Sequence, residues 1–280
     1  MPRKTNSRRL CKGRHTSLKQ KNVSSIFDVV LSDFAVRHPG KNFWYVDMNA
    51  GYGYEKGYVG SPFIFIDNAI KNGVCFRADL MERNSRFYNR LVGNIGECFS
   101  AEKLKSKYKD THSTMRECVI RVWNNDSTVV RRYVDRMFEG RRPVRGIMYS
   151  DVNGEIPPFE VFESVGEQTW FHNMDVMINI KCVTLKRQRE MYKTKNKNEN
   201  VGRLRDYIEQ INKKIWYIRE SRGPGQWVLL YGTNDDSFPG IKTKVDGAAF
   251  HLLSSRAGQK VLRVLDYTKE ELALLQREDL

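Results

Sequence analysis

Long apolar runs are missing from this 280-residue chain: none reaches the ~18 residues that a membrane span needs, so no membrane association is expected. The N-terminus, MPRKTNSRRLCKGRH, is basic but has no apolar h-region, so it does not read as a secretory signal. Cysteine is sparse, with Cys11, Cys75, Cys98, Cys118 and Cys182 at wide spacings and no C-x-x-C pair. An odd number so placed suggests neither a disulfide framework nor a zinc site, and a reducing cytoplasm is the natural setting. The nucleotide signatures are also lacking. No G-x-G-x-x-G occurs, and no glycine-rich turn runs into Gly-Lys-Ser/Thr, so neither a dinucleotide fingerprint nor a P-loop is indicated. No internal repeat is visible.

A hydrophobic content of 40% suffices for a proper core in one large domain. The net charge of +15 is unevenly placed. Residues 1–22 carry eight Lys/Arg and no acid, and residues 181–222 carry thirteen Lys/Arg against five acids. The rest of the chain is close to neutral. A basic excess confined to two segments suggests a surface for a polyanion, and a nucleic acid is the expected partner.

Residues 1–15 lack an apolar period and read as a basic flexible arm. From Thr16 or Ser17, Val23, Ile26, Phe27, Val30, Leu31 and Phe34 recur at the helical period, and His38-Pro39-Gly40 ends that helix. Strand-type runs follow at 43–48, 74–81, 117–123, 146–150, 174–180, 214–219 and 226–232. Helices are expected near 62–72, with Ser61 as cap and Pro62 at its first position, and at 84–92, after Asp126, and at 201–212. Residues 193–200 read as a mobile loop. Strand–helix alternation predicts a parallel sheet, and Gly223-Pro224-Gly225 between the last two strands predicts an antiparallel hairpin. Residues 16–240 form the expected main domain. Residues 241–280 read as a C-terminal appendage, with a helix start capped by Thr268.

Ligands in open parallel sheets bind beyond the carboxyl ends of the strands. The polar residues there are Asp47, Asn49, Gly51 and Gly53 after the first strand, Glu82 after the second, Asn125 and Asp126 after the third, and Asp151 after the fourth. The Asp47-x-Asn49-Ala50-Gly51-x-Gly53 turn lets backbone approach a ligand closely, because small residues remove side-chain obstruction. An acid closing the second strand can accept both ribose hydroxyls of an adenosine.

This order of strands and acids resembles the class I S-adenosylmethionine-dependent methyltransferases, which are Rossmann-like α/β proteins with a seven-stranded, mostly parallel sheet and a terminal antiparallel hairpin. More narrowly, the chain is similar to the three-Cys-motif partner proteins of bacteria and phages. The shared features are His15-Thr16-x-x-Lys19, Tyr45-Val46-Asp47-Met48-Asn49-Ala50-Gly51-Tyr52-Gly53, Gly60-Ser61-Pro62, Tyr149-Ser150-Asp151-x-Asn153-Gly154 and Trp227 with Gly232-Thr233-Asn234. The resemblance implies an S-adenosylmethionine site. Asp47, Asn49, Ala50, Gly51 and Gly53 would flank the methionine part, Glu82 would hold the ribose, and Asp126 the adenine. Thr16 and Lys19 would close over the cofactor, and Arg83, Asn125 and Asp151 complete the set. It also implies a cytoplasmic bacterial or phage-infected setting and leaves room for a protein partner.

The methyl acceptor is less defined. Amino-methylating DNA enzymes carry an acid or amide followed by Pro-Pro-aromatic after the fourth strand. Here Asp151 keeps the position, whereas Pro157-Pro158-Phe159 comes six residues late, with Asn153 between. No Pro-Cys follows that strand, which argues against a cytosine-C5 nucleophile. Ribose 2′-O-methyltransferases use a Lys-Asp-Lys-Glu set, for which Lys19, Asp151, Lys181 and Glu220 occur in order; a lysine with a lowered pKa can act as base. Tyr52, Tyr54 and Tyr58 can stack on a base or pack over the cofactor. The leading expectation is a nucleic-acid methyltransferase, with DNA or RNA and base or 2′-O position open. The alternatives are a catalytically silent protein of the same fold that regulates a partner and, less favoured, a nucleotide-dependent Rossmann protein.

Overall fold

Phe-Trp-Tyr-Val is a run of aromatic and β-branched side chains without polar alternation, the pattern of a strand covered on both faces. All five residues of Phe43–Asp47 (β1) are buried. The computed structural model describes residues 14–55, 58–99, 118–125, 145–152, 159–181, 183–187, 203–220, 227–241, 249–267 and 271–272, with backbone alone at 14–17. After β1 come Tyr54–Glu55 (β2), Tyr58–Val59 (β3), Phe76–Met81 (β4), Val119–Trp123 (β5) and Arg145–Asp151 (β6). Met174–Lys181 (β7), Ile215–Arg219 (β8), Trp227–Thr233 (β9) and Phe250–Leu252 (β10) complete the strands.

Strands β2 and β3 pair as a small hairpin, and the others form one eight-stranded sheet in the order β5-β4-β1-β6-β7-β9-β8-β10. β1 runs parallel to β4 and β6, β5 to β4, and β7 to β6. β9 lies antiparallel between β7 and β8. The fold is therefore Rossmann-like α/β with the class I methyltransferase layout, parallel strands on both sides of a central β1 and an antiparallel closing pair. The expected strands are all present. An eighth, β10, pairs Phe250 with Arg219 at the outer edge, so part of the segment expected as an appendage extends the sheet. Its apolar signal is only three residues long.

Helices Arg14–Arg37 (α1), Ser61–Lys71 (α2) and Ser85–Cys98 (α3) cover one face of the sheet. There Phe27, Phe65 and Leu91 pack with Tyr45 and Tyr149. Phe159–Val165 (α4), Leu204–Gln210 (α5) and Arg256–Asp266 (α6) cover the other, where Phe162, Leu204 and Leu262 pack with Trp44 and Val46. α3 runs past the expected 84–92 because Ile95 and Phe99 continue its apolar side. Its cap is Asn84, whose side chain accepts the Arg86 and Phe87 N–H groups. α4 carries no sequence signal beyond a short apolar period. The helix expected after Asp126, the loop at 193–200 and Thr268 lie outside the described residues.

At the amino edge of the parallel strands an ion cluster pins α1 to the sheet. Arg145 of β6 is buried and reaches Asp33 at 2.7 Å, Asp235 at 2.9 Å and Asp175 at 3.1 Å. Arg37 pairs with the same Asp33 and Asp235. No described helix is long and apolar enough to cross a membrane.

Candidate functional site

β4 and β6 flank β1 on opposite sides, so the chain leaves β1 first one way and then the other. This reversal opens a crevice beyond the carboxyl ends of the strands. Asp47, Glu82 and Asp151 end or follow β1, β4 and β6 and meet at that edge, on the face covered by α1 and α2.

Asp47 is fully buried beneath the turn. Its Oδ2 accepts the Tyr45 hydroxyl at 2.7 Å and the Ser61 hydroxyl at 2.6 Å, and its Oδ1 accepts the Asn49 N–H at 3.0 Å. Burial pushes its pKa up to about 6, against the lowering effect of those three donors, and the charge of Asp151 raises it further. Ser61 is thus engaged with Asp47; the α2 cap is Gly60, which makes no side-chain cap bond. Asp47 therefore holds the turn and the start of α2 from below, and both its oxygens are engaged within the protein.

The turn itself is fixed by glycine geometry. Gly51 (φ 65) and Gly53 (φ 73) both lie in the left-handed region. A Cβ on Gly53 would sit 2.5 Å from Phe63 and 2.6 Å from Leu91, whereas one on Gly51 would meet nothing within 4 Å. The open space is therefore over Gly51. Ala50 is buried, and its N–H donates to the Met81 carbonyl at 2.9 Å.

Glu82 joins the turn to the tip of β4. Its Oε2 accepts the Gly51 N–H at 2.9 Å and its Oε1 the Asn84 N–H at 2.7 Å. Burial raises its pKa, while the two N–H groups and the Arg83 charge oppose that rise. Each oxygen accepts only one of these bonds, which leaves the carboxylate further acceptor capacity. The β4–β5 ladder continues past the strands through Asn125 N–H to the Glu82 carbonyl at 3.1 Å, placing Asn125 beside Glu82. Arg83 is exposed at the same tip. Asp126 and Asn153 lie outside the described residues, as does the Thr16 side chain.

On the β6 side, Asn49 Oδ1 accepts the Ser150 hydroxyl at 3.1 Å and the Asp151 N–H at 3.3 Å. Asp151 forms an ion pair with Lys19 of α1, and Asn179 of β7 donates to its Oδ1 at 2.7 Å. The Asn179 side-chain oxygen, Oδ1, is buried with no hydrogen-bond partner among the described residues. Gln20 donates to the Val59 carbonyl at 2.5 Å and ties α1 to the β2–β3 hairpin. Tyr58 of that hairpin is half-buried. Its pKa is raised by burial and then by the charge of Asp151, which places the phenol beside the acids.

Of the three loop tyrosines, Tyr58 is the one whose pKa the charges of Asp151 and Asp47 raise. Tyr52 packs against Phe87 at 5.6 Å under the Arg90 guanidinium, and Tyr54 lies along Phe63 at 6.2 Å. The Lys-Asp-Lys-Glu set comes together only in part. Lys19 and Asp151 meet, and Lys181 is exposed at the end of the neighbouring β7. Glu220 follows β8, three strands from β6 and so roughly 14 Å away at the usual strand spacing. Its carboxylate takes the Ala249 N–H at 3.3 Å and pairs with His251 at 2.8 Å. Sequence order hides this separation, because β9 inserts between β7 and β8. Asn179 and Gln20 escaped the sequence reading, and Ser61 was read there as a helix cap rather than as a partner of Asp47. For Asn179 the signal was available, since it is an amide two residues from the end of a strand that is apolar apart from Asp175 and Lys181.

No family model matches the chain, and no curated protein matches it. Among solved structures it is similar to protein LPL1258 from Legionella pneumophila, with 14% identity, a TM-score of 0.48 and coverage of 85% of this chain and 97% of that one. It is similar to the METTL16 MTase domain at 13% identity and TM-score 0.38, over 75% of this chain and 67% of that one. A putative rRNA-methylase from Clostridium thermocellum aligns at 6% identity and TM-score 0.39, over 74% and 94% of the two chains.

Proposed function

We propose that the chain binds S-adenosylmethionine over Gly51 and Glu82 and transfers its methyl group to a nucleic acid. The observation that carries this reading is the Glu82 carboxylate, held at the tip of β4 by the Gly51 and Asn84 N–H groups beside open space over a left-handed glycine. Adjacent ribose hydroxyls are the natural donors to such a carboxylate. Asn125 at the next strand end suits the adenine side, and the Asn49–Asp151 connection suits the methionine side. The bound cofactor would supply an electrophilic methyl on a sulfonium sulfur.

The protein's own part is to align the acceptor and keep water out. Asp151 stands where an acceptor N–H or O–H would approach, oriented by Lys19 and Asn179. The unpartnered Asn179 Oδ1 can take one donor from that group. Lys19, Tyr58 and the turn enclose the acids. The basic segments at 1–22 and 181–222 support a polyanionic substrate. The similarity to the three-Cys-motif partner proteins supports the same reading through the motifs around Lys19, the turn and Asp151.

Calorimetry with S-adenosylhomocysteine tests the pocket. Wild type should bind, and Glu82→Ala should weaken binding at least tenfold; equal affinity for the two proteins would reject the site. Labelled methyl transfer to DNA, RNA and protein then tests the acceptor class. Incorporation into protein alone would refute a nucleic-acid substrate.

A further inference from the structure

Helix α6 carries a feature that the site does not use. Arg256, Lys260 and Arg263 are exposed and spaced i, i+4 and i+7, so they form one stripe along the helix. None of the three forms an ion pair among the described residues. The helix has one acid, Asp266, which is buried and accepts the Leu204 and Arg205 N–H groups at the start of α5. Nothing on α6 itself neutralises the stripe.

The stripe also has a direction. β10 runs antiparallel to β8, toward the amino edge of the sheet, and α6 turns back from there. The end of α6 is held by Lys186, which donates to the Val264 and Tyr267 carbonyls at 3.1 and 3.0 Å. Lys186 lies just past Lys181, the last residue of β7. Arg263 therefore sits on the side of the carboxyl edge, and Arg256 lies about 10 Å farther along the helix. Exposed Arg187 and Lys181 continue the line to the strand next to Asp151. Arg203 stacks on Tyr267 with its guanidinium 4.1 Å from the ring centroid.

We propose that this row, from Arg256 through Arg263 and Arg187 to Lys181, is the track on which the phosphate backbone of the nucleic-acid substrate lies as it enters the site. The inference rests on the methyl-transfer reading and adds the path of its substrate. Duplex nucleic acid carries one charge per about 1.7 Å of axis, so a stripe of about 10 Å meets several phosphates. Arginine predominates, as suits bidentate phosphate contacts. A helix lying on a membrane presents aromatic or leucine side chains to the acyl boundary, whereas α6 exposes only Val264 among its large apolar residues.

The test compares two triple variants of the full chain. Arg256→Gln/Lys260→Gln/Arg263→Gln removes the stripe. Lys41→Gln/Lys71→Gln/Arg90→Gln removes the same charge from exposed positions outside both basic segments. Affinity for a short mixed-sequence RNA and for a DNA duplex is measured across salt concentrations. Each lost phosphate contact should lower the slope of log affinity against log salt by about one. The stripe variant should therefore lose about two to three units of slope and bind about tenfold or more weakly at physiological salt, with the control near wild type. Equal effects of the two triples, no effect of either, or no nucleic-acid binding by wild type would overturn the track. Binding of wild type to polyglutamate or anionic vesicles as strong as to nucleic acid would overturn the choice of partner. S-adenosylhomocysteine binding, which the stripe does not touch, separates this result from failure of the pocket: its absence in wild type refutes the cofactor reading alone.

Discussion

Replacing Asp47 by Asn gives a stability effect whose sign depends on pH. The carboxylate is wholly buried, and its pKa stands at about 6 against an ordinary aspartate value of 3.8, chiefly through desolvation. A raised pKa means that the folded protein binds the proton more tightly than the unfolded chain. The associated stability is fully present below about pH 4 and is lost as pH rises through 6. The two pKa values are about two units apart, and at 1.36 kcal/mol per unit the ionised side chain costs the fold about 3 kcal/mol at neutral pH. Asn carries no charge, its oxygen can still accept the Asn49 N–H, and its amide can donate to the Ser61 or Tyr45 oxygen. Urea unfolding of wild type and Asp47→Asn between pH 3.5 and pH 8 should give curves that diverge between about pH 4 and pH 6 and run parallel above that. The variant should gain up to about 3 kcal/mol relative to wild type by pH 7.5. Glu82 also has a raised pKa but titrates in both proteins, so it drops out of the difference. Curves parallel over the whole range would show that the donors around Asp47 outweigh its burial, contrary to the argument.

The two turn glycines should respond differently. Gly51→Ala meets only the left-handed penalty of about 1–2 kcal/mol, whereas Gly53→Ala adds collisions with Phe63 and Leu91 worth about 1–3 kcal/mol more; thermal unfolding ranks them. Arg145→Ala leaves the buried Asp175 without its cation and Asp33 and Asp235 with Arg37 alone, and should cost about 3–5 kcal/mol, read by denaturant midpoint. Lys213 is buried against Phe171, and desolvation lowers its pKa to about 7. Wild-type stability should therefore rise between pH 7 and pH 10 as the unfolded chain alone keeps the proton, and Lys213→Met should abolish that rise in pH-dependent unfolding.

The sheet was legible because each strand is a run of aromatic and β-branched residues ending in a polar tip. The tips at Asp47, Glu82 and Asp151 do converge. What those tips do was less legible. Asp47 reads as a ligand-facing acid at the end of β1, yet an odd-even count along Phe43–Asp47 puts it on the face that α1 and α2 bury, where Tyr45 and Ser61 engage it. Glu220 read as a fourth catalytic member because chain order ignores the insertion of β9. β10 was missed because three residues give no alternation to count. The Arg145 cluster joins residues more than a hundred positions apart, a contact that no local pattern encodes.

The anchoring of α1 limits how the site can open. At the amino edge, Arg37 and Asp33 lock its last turns into the Arg145 cluster. Toward the carboxyl edge, Arg219 is buried and donates to Asn22 at 2.8 Å, with its guanidinium 4.2 Å above the Trp227 ring. Between these points Val23, Ile26, Phe27 and Val30 are almost fully buried, and lifting them would expose side chains worth about 1.5–3 kcal/mol each. A hinge of the whole helix would therefore be costly. Only the turns before Asn22, held by the Lys19–Asp151 pair and the Gln20–Val59 bond, can part at modest cost. Under the proposed function, any opening of the site would fall to this segment, which follows the basic residues 1–13. If a nucleic acid is the substrate, as proposed, phosphate contacts on those residues would act on the Lys19–Asp151 pair and the Gln20–Val59 bond.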